Sequence, residues 1–162
     1  MIIRLAQPAE LAAVGELTVA AYTADGYLEG TDDYSDELAD AARRAQFATV
    51  LVAVDEAFGR PLGTATFCLA GTPYAEVSRS GEAEFRMLAV APEARGRGVG
   101  GALVGDCIER AQSAGSTALA LCSLEAMAPA HRIYERMGFA RAPERDWQPV
   151  PGLTLVSYLL QL

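Results

Sequence analysis

Apolar positions along this chain follow two rhythms, alternation and helical spacing, and the switches between them mark its elements. Ile2 to Leu5 is a short apolar strand. Pro8 opens a helix through about Ala21, with Leu11, Val14, Leu17 and Ala21 along one face. Residues 23–36 are rich in acids, glycine and tyrosine and read as a loop; Ser35 or Asp36 can then cap a second helix, Glu37 to Ala48. Thr49 to Val54 and Leu62 to Ala70 read as an antiparallel strand pair, and Gly71 to Gly81 as a polar connection. Glu84 to Val90 suits a half-buried strand, which Ala91, Pro92 and Glu93 stop. From Val99, apolar residues recur at helical spacing through Ala102, Leu103, Cys107 and Ala111, and Gly115 ends the turn. Ala118 to Cys122 is wholly apolar, as expected of a buried strand parallel to Glu84–Val90 across a right-handed crossover. A short helix from Pro129 to Met137 follows, then strands over Phe139–Ala142 and Leu153–Leu160, with an irregular link between them.

Composition narrows the class. The 162 residues fit one domain, residues 1–162, and 51% are hydrophobic, which implies a globular chain. The first residues carry no long apolar run for a signal peptide, and no stretch is long enough to span a membrane, so a cytoplasmic location is expected. A net charge of −8 argues against nucleic acid as a partner. All thirteen basic residues are arginine, so no lysine serves as base, nucleophile or Schiff base. His131 is the one histidine, and Cys68, Cys107 and Cys122 lack metal-ligand spacing, so buried thiols and no metal are expected.

Between the central strand and helix lies Arg95-Gly96-Arg97-Gly98-Val99-Gly100-Gly101. Four glycines at a helix start are entropically costly, which makes sense where a ligand must approach the backbone. The unpaired N–H groups and partial positive charge of a first helical turn suit a phosphate. Gly96-x-Gly98-x-x-Gly101 fits the dinucleotide pattern, with Glu125 closing the next apolar strand. Five residues separate Val90 from Gly96, however, whereas that fold turns directly off its strand. The P-loop is excluded because its lysine is missing.

Arg95-x-x-Gly98-x-Gly100, after Leu88-Ala89-Val90, resembles the Q/R-x-x-G-x-G/A signature of the GNAT superfamily of acetyl-CoA-dependent N-acetyltransferases. A second stretch, Met127-x-x-Ala130 through Tyr134 to Gly138-Phe139, resembles the family's N-x-x-A-x-x-x-Y-x-x-x-G-F motif and departs from it at Met127. The departure puts in doubt a polar contact that the asparagine makes near the cofactor arm. The resemblance covers the whole chain. It implies an α/β fold of the α+β type: a mixed, mostly antiparallel sheet with one splayed parallel pair, flanked by about four helices. It also implies acetyl-CoA as co-substrate, direct acetyl transfer in a ternary complex, and a small-molecule or protein amine as acceptor. The loop amides of Arg95, Gly96, Arg97, Gly98, Val99, Gly100 and Gly101 would hold the pyrophosphate. Backbone around Leu88, Ala89 and Val90, together with Met127 and Ala130, would take the pantetheine arm and thioester.

Tyr134 is the expected acid that protonates the leaving thiolate. Glu84 is either the base that accepts the amine's proton or one half of an ion pair with an arginine such as Arg86. Strand alternation puts Glu84, Arg86, Leu88 and Val90 on one face. Tyr22, Tyr27, Tyr34 and Trp147 either line an acceptor pocket or fill the core edge, and Asp25, Glu29, Asp32, Asp33 and Asp36 either draw a cationic amine or form a solvated surface. The alternative function is a non-catalytic acyl-CoA-binding module of the same fold; a homodimer stays open.

Overall fold

A computed structural model describes residues 1–29 and 32–162, of which residue 32 is described by its backbone alone. Within the acidic loop expected over 23–36, Gly30, Thr31 and the side chain of Asp32 therefore lie outside the described residues. The elements are β1 Ile2–Leu5, α1 Leu11–Ala24, α2 Asp32–Ala39, α3 Ala41–Phe47, β2 Thr49–Val54, β3 Pro61–Leu69, β4 Ala83–Val90, α4 Val99–Ser113, β5 Ala118–Leu124, α5 Ala128–Arg136, β6 Ala140–Arg141, β7 Trp147–Val150 and β8 Leu153–Gln161.

One sheet runs β1-β2-β3-β4-β5-β8-β6, with β7 paired to β8. Every pairing is antiparallel except β4 with β5. That parallel pair registers only at Ala83 with Leu119 and Glu84 with Ala120, so the two strands part beyond their first residues. The main core lies under α4, whose Val99, Leu103, Val104, Cys107 and Ala111 are buried against the sheet and α5. On the other face α1, α2 and the segment around Tyr74 close over Cys68, Met87 and Ala89.

Three parts of the chain differ from expectation. Helix α2 begins at Asp32 although 32–36 reads as loop, because Tyr34 and the fully buried Leu38 pack in one cluster with Ala21 and Tyr22 of α1. Asp40 divides the helix expected over Glu37–Ala48: its side chain accepts from the Arg43 backbone N–H and caps α3. The guanidinium of Arg44, itself buried, donates to the carbonyls of Glu37 and Leu38 and fixes the end of α2. The link over Pro143–Gly152 contains strand β7, stabilised by pairing with β8 rather than by its own pattern.

The fourth difference matters most. Thr64 opposes Ala89 while Thr66 opposes Arg86, so β4 carries one extra residue against β3. Met87 sits at that bulge with a φ of 55°, in the left-handed region that costs a side-chain-bearing residue energy. The bulge reverses the alternation. Ala83 and Phe85 face the α4 core, and beyond the bulge Leu88 and Val90 face it too, while Met87 and Ala89 turn to the opposite layer. Glu84 and Arg86 therefore do not share a face with Leu88 and Val90.

Candidate active site

The parting of β4 from β5 opens a cavity of about 640 Å³ at the start of α4. Its walls come from β4 (Leu88, Ala89, Val90), the turn and first residues of α4 (Arg95, Gly96, Gly98, Val99, Gly100, Gly101) and α5 with its N-cap (Met127, Ala130, Ile133). Eleven of the twelve residues expected to hold the cofactor thus border one space. Arg97 is the exception: its guanidinium turns to Asp55 at 3.5 Å.

Gly98 caps α4 with a φ of 78°, a conformation open to glycine at little cost, and among the described residues no side chain bonds the first-turn amides. A Cβ built on Gly98 or Gly101 would meet nothing within 4 Å. The N-terminus of α4 thus presents bare N–H groups and its dipole to the cavity. Three arginines, Arg95, Arg132 and Arg136, stand on the walls against one aspartate, Asp25. Asp25 pairs with Arg95 through two bonds of 2.8 and 2.9 Å. The pattern around the glycines gave no sign of Arg132 and Arg136; they become part of the wall because α5 packs against α4 where a Cβ on Gly100 would reach Ile133 at 3.0 Å.

Tyr134 is on α5, 4% exposed, its ring packed edge-on or tilted against Phe85, Phe139 and Tyr158 at 5.7–6.0 Å. No hydrogen bond to the described residues occupies its hydroxyl. Burial pushes the phenol well above its usual pKa, and the Cys122 and Cys107 thiols and the Tyr158 phenol add to the shift. His131 is half-buried and bonds Ser123 Oγ at 3.1 Å, and burial lowers its pKa.

Glu84 is fully buried, and one of its carboxylate oxygens is saturated. Oε2 accepts from the backbone N–H groups of Glu76, Val77 and Ser78 and from the Ser78 hydroxyl, all at 2.9–3.0 Å. Oε1 has no partner. This carboxylate clasps the 76–78 turn. Neither expected arrangement, an ion pair with Arg86 or a carboxylate facing an open acceptor site, is what the strand presents. Replacing it should unfold more than it slows: Glu84→Ala is expected to cost about 2–4 kcal/mol in urea unfolding, because three partly buried amides lose their acceptor. A stable Glu84→Ala protein with lost turnover would instead restore Glu84 as a base.

The clasp sets the position of Glu76, which sequence reasoning missed because it lies in an irregular, polar stretch with no spacing signal. Its side chain, 22% exposed, pairs with Arg86 at 2.5 Å. Cys122 Sγ lies 3.5 Å from its Oε2. Burial raises the Glu76 pKa, and Arg86 and the Cys122 contact oppose that rise. The Cys122 thiol, half-buried and beside this carboxylate, is pushed up to about 12. Arg86 also donates to the Tyr74 carbonyl at 3.1 Å and lies 3.7 Å from Glu37.

Glu76, Arg86 and Cys122 border a second cavity, about 620 Å³, with Tyr27, Tyr34, Met87, Met127 and residues of the β7–β8 hairpin. Tyr27 and Met127 border both cavities. Tyr22 borders only the first, and Trp147 neither.

A sheet opened at its single parallel junction, with an uncapped glycine-rich helix start on the opening, defines a protein of the acyl-CoA-dependent N-acetyltransferase class. The model of the acetyltransferase (GNAT) family matches residues 11–139, and the chain belongs to that family. It is 32% identical over 120 residues to an uncharacterized N-acetyltransferase of Schizosaccharomyces pombe, covering 73% of this chain and 69% of that one. Among solved structures it resembles yncA of Salmonella typhimurium with its cofactor acetyl-CoA, at 25% identity and a TM-score of 0.68 over 100% of this chain and 94% of that one. A GCN5-related N-acetyltransferase of Kribbella flavida is 28% identical, with a TM-score of 0.71 over 99% and 97% of the two chains. Among the described residues, no helix is long and apolar enough to cross a membrane.

Proposed function

We propose that this enzyme binds acetyl-CoA in the first cavity and a primary amine in the second, and transfers the acetyl group directly between them. The observation that carries the reading is a contrast of charge. In a chain of net charge −8, the first cavity has three arginines against one aspartate, and the second has four carboxylates, Glu29, Asp33, Glu37 and Glu76, against one arginine. The first suits the phosphates of a coenzyme and the second an ammonium group. Tyr27 and Met127, common to both, mark where thioester and amine would meet.

In this reading the α4 amides and the Arg95 side hold the diphosphate, and the gap beside Leu88–Val90 holds the pantetheine arm. Alignment of the two reactants supplies much of the rate. Glu76 takes one proton from the bound ammonium group, directly or through water, the neutral nitrogen bonds the acetyl carbon, the carbon–sulfur bond breaks, and the nitrogen's second surplus proton leaves to water. Tyr134 gives its proton to the departing thiolate. Glu84 is a positioning residue, acting through the turn that carries Glu76.

The test is release of free thiol when acetyl-CoA and a panel of amines are mixed with the enzyme. Thiol release that depends on both supports the reading. Acetyl-CoA binding without amine-dependent release would make the chain a non-catalytic acyl-CoA-binding module. Tighter binding of NAD than of CoA would defeat both.

A pH dependence follows. Glu76 faces Arg86 from β4, Glu37 from α2, Glu84 from β4 and Cys122 from β5. Its pKa is raised by burial, so it is protonated, and unable to accept the amine's proton, at pH values above the ordinary glutamate range. The kcat/KM profile should therefore lose activity as pH falls, with that limb lying above the usual glutamate pKa. Glu76→Gln should remove the limb and lower kcat by about 100-fold. A limb unchanged in Glu76→Gln would take the role away from Glu76.

A further inference from the structure

Resting on the N-acetyltransferase reading, we infer that the acceptor is a small primary amine with an apolar body, one positive charge and no free carboxylate. The second cavity is built for the first two features. Its walls are largely apolar or aromatic, with Tyr27, Tyr34, Met87, Leu153 and Leu155 among them. Glu29, Asp33, Glu37 and Glu76 stand among these apolar walls.

Arg86 decides the third feature. An arginine in an amine-binding cavity ordinarily invites an α-carboxylate, through paired N–H donors. Here the guanidinium, 9% exposed, is already engaged: Glu76 holds it at 2.5 Å, Glu37 lies at 3.7 Å, and the Tyr74 carbonyl takes another donor. A substrate carboxylate would have to displace Glu76 and sit among four like charges. Beside this pair lies a buried excess of negative charge. Glu84 is fully buried, its Oε1 lacks a partner among the described residues, and its carboxylate lies within 4.8 Å of the Glu76 carboxylate and of Cys122 Sγ. An orphaned buried acceptor next to a second carboxylate favours a donor-rich cation nearby and disfavours an anion. Like-charge contact in such a site costs several kcal/mol, so discrimination against a carboxylate follows from the walls alone.

The experiment compares three acceptors of nearly one shape: 2-phenylethylamine, phenylalanine amide and phenylalanine. Thiol release from acetyl-CoA is followed at low and high salt. The expected kcat/KM for the amine and the amide exceeds that for the free acid at least about tenfold, and the gap shrinks as salt rises. In Glu29→Gln/Asp33→Asn the gap should narrow, since two of the four carboxylates are gone. A free acid used as well as its amide would overturn the inference and leave the N-acetyltransferase reading intact, with Arg86 as a carboxylate receptor. Equal use of a small aliphatic amine such as ethylamine would overturn the apolar-body part. A peptide beginning with phenylalanine that outruns the amide more than about tenfold would overturn the small-molecule part. No acetylation of any amine by protein that binds acetyl-CoA would overturn the inference and the reading beneath it together.

Discussion

Gly101→Glu should abolish acetyl-CoA binding in a protein that remains folded. Gly101 lies in the first turn of α4, on the wall of the arginine-lined cavity, and a Cβ there meets nothing within 4 Å. Its φ is not in the left-handed region, unlike those of Gly96 and Gly98, so a side chain adds no backbone strain. A glutamate would project bulk and negative charge to where the bare amides would receive a diphosphate. A penalty near 3 kcal/mol corresponds to an affinity loss of about 100-fold, and the steric block adds to it. The matched control is Gly101→Ala. Removing a helical glycine at an open position should raise unfolding stability by about 0.5–1 kcal/mol. Calorimetric titration with acetyl-CoA, alongside denaturant unfolding of each variant, separates the two effects. Undiminished binding in Gly101→Glu would move the phosphate site away from the helix start.

Tyr134→Phe carries the second large effect. The phenyl ring preserves the contacts with Phe85, Phe139 and Tyr158, so the core keeps its packing. No hydrogen bond to the described residues is lost with the hydroxyl. Loss of a positioned acid typically costs 10²–10⁴ in rate, and turnover should fall by about 100-fold or more. Affinity for acetyl-CoA should change by less than about threefold, since that cavity's wall is made by Ala130 and Ile133 of the same helix rather than by Tyr134. The burial that raises the Tyr134 pKa keeps the phenol protonated, the form a proton donor must start from. A Tyr134→Phe enzyme with full turnover would leave solvent as the proton donor.

Gly101 lines the first cavity, whereas Tyr134 is buried on α5 and borders neither cavity, so the two variants test different parts of the proposal, and the Glu84 result bears on a third. A carboxylate at the expected strand position turned out to be tied to three backbone amides, while Glu76, one of four carboxylates bordering the second cavity and the one paired with Arg86 at 2.5 Å, comes from a connection with no distinguishing pattern. This is why Glu84→Ala is expected to report on stability, and Glu76→Gln on the pH profile.

Local rules carried most of the fold. Apolar periodicity placed β2, β3, β5, α4 and β8 to within a residue or two, because each buries a face whose spacing matches its backbone period. The glycine run and its flanking strand and helix located the bare helix start that borders the first cavity, since a missing side chain at a helix start is a statement about local backbone access. What those rules could not supply came from contacts distant in sequence. Helix α2 exists because Leu38 finds a pocket against α1, and β7 because β8 pairs with it. The bulge at Met87 reverses which side chains of β4 share a face, and no residue type announces a bulge in advance. The sequence by itself determined that a bare helix start follows a central strand and that a tyrosine stands on the helix after the next one. Only the tertiary structure decided that Glu76 borders the second cavity while Glu84 does not, and what occupies Arg86, because both depend on the 76–78 turn folding back onto β4 and β5.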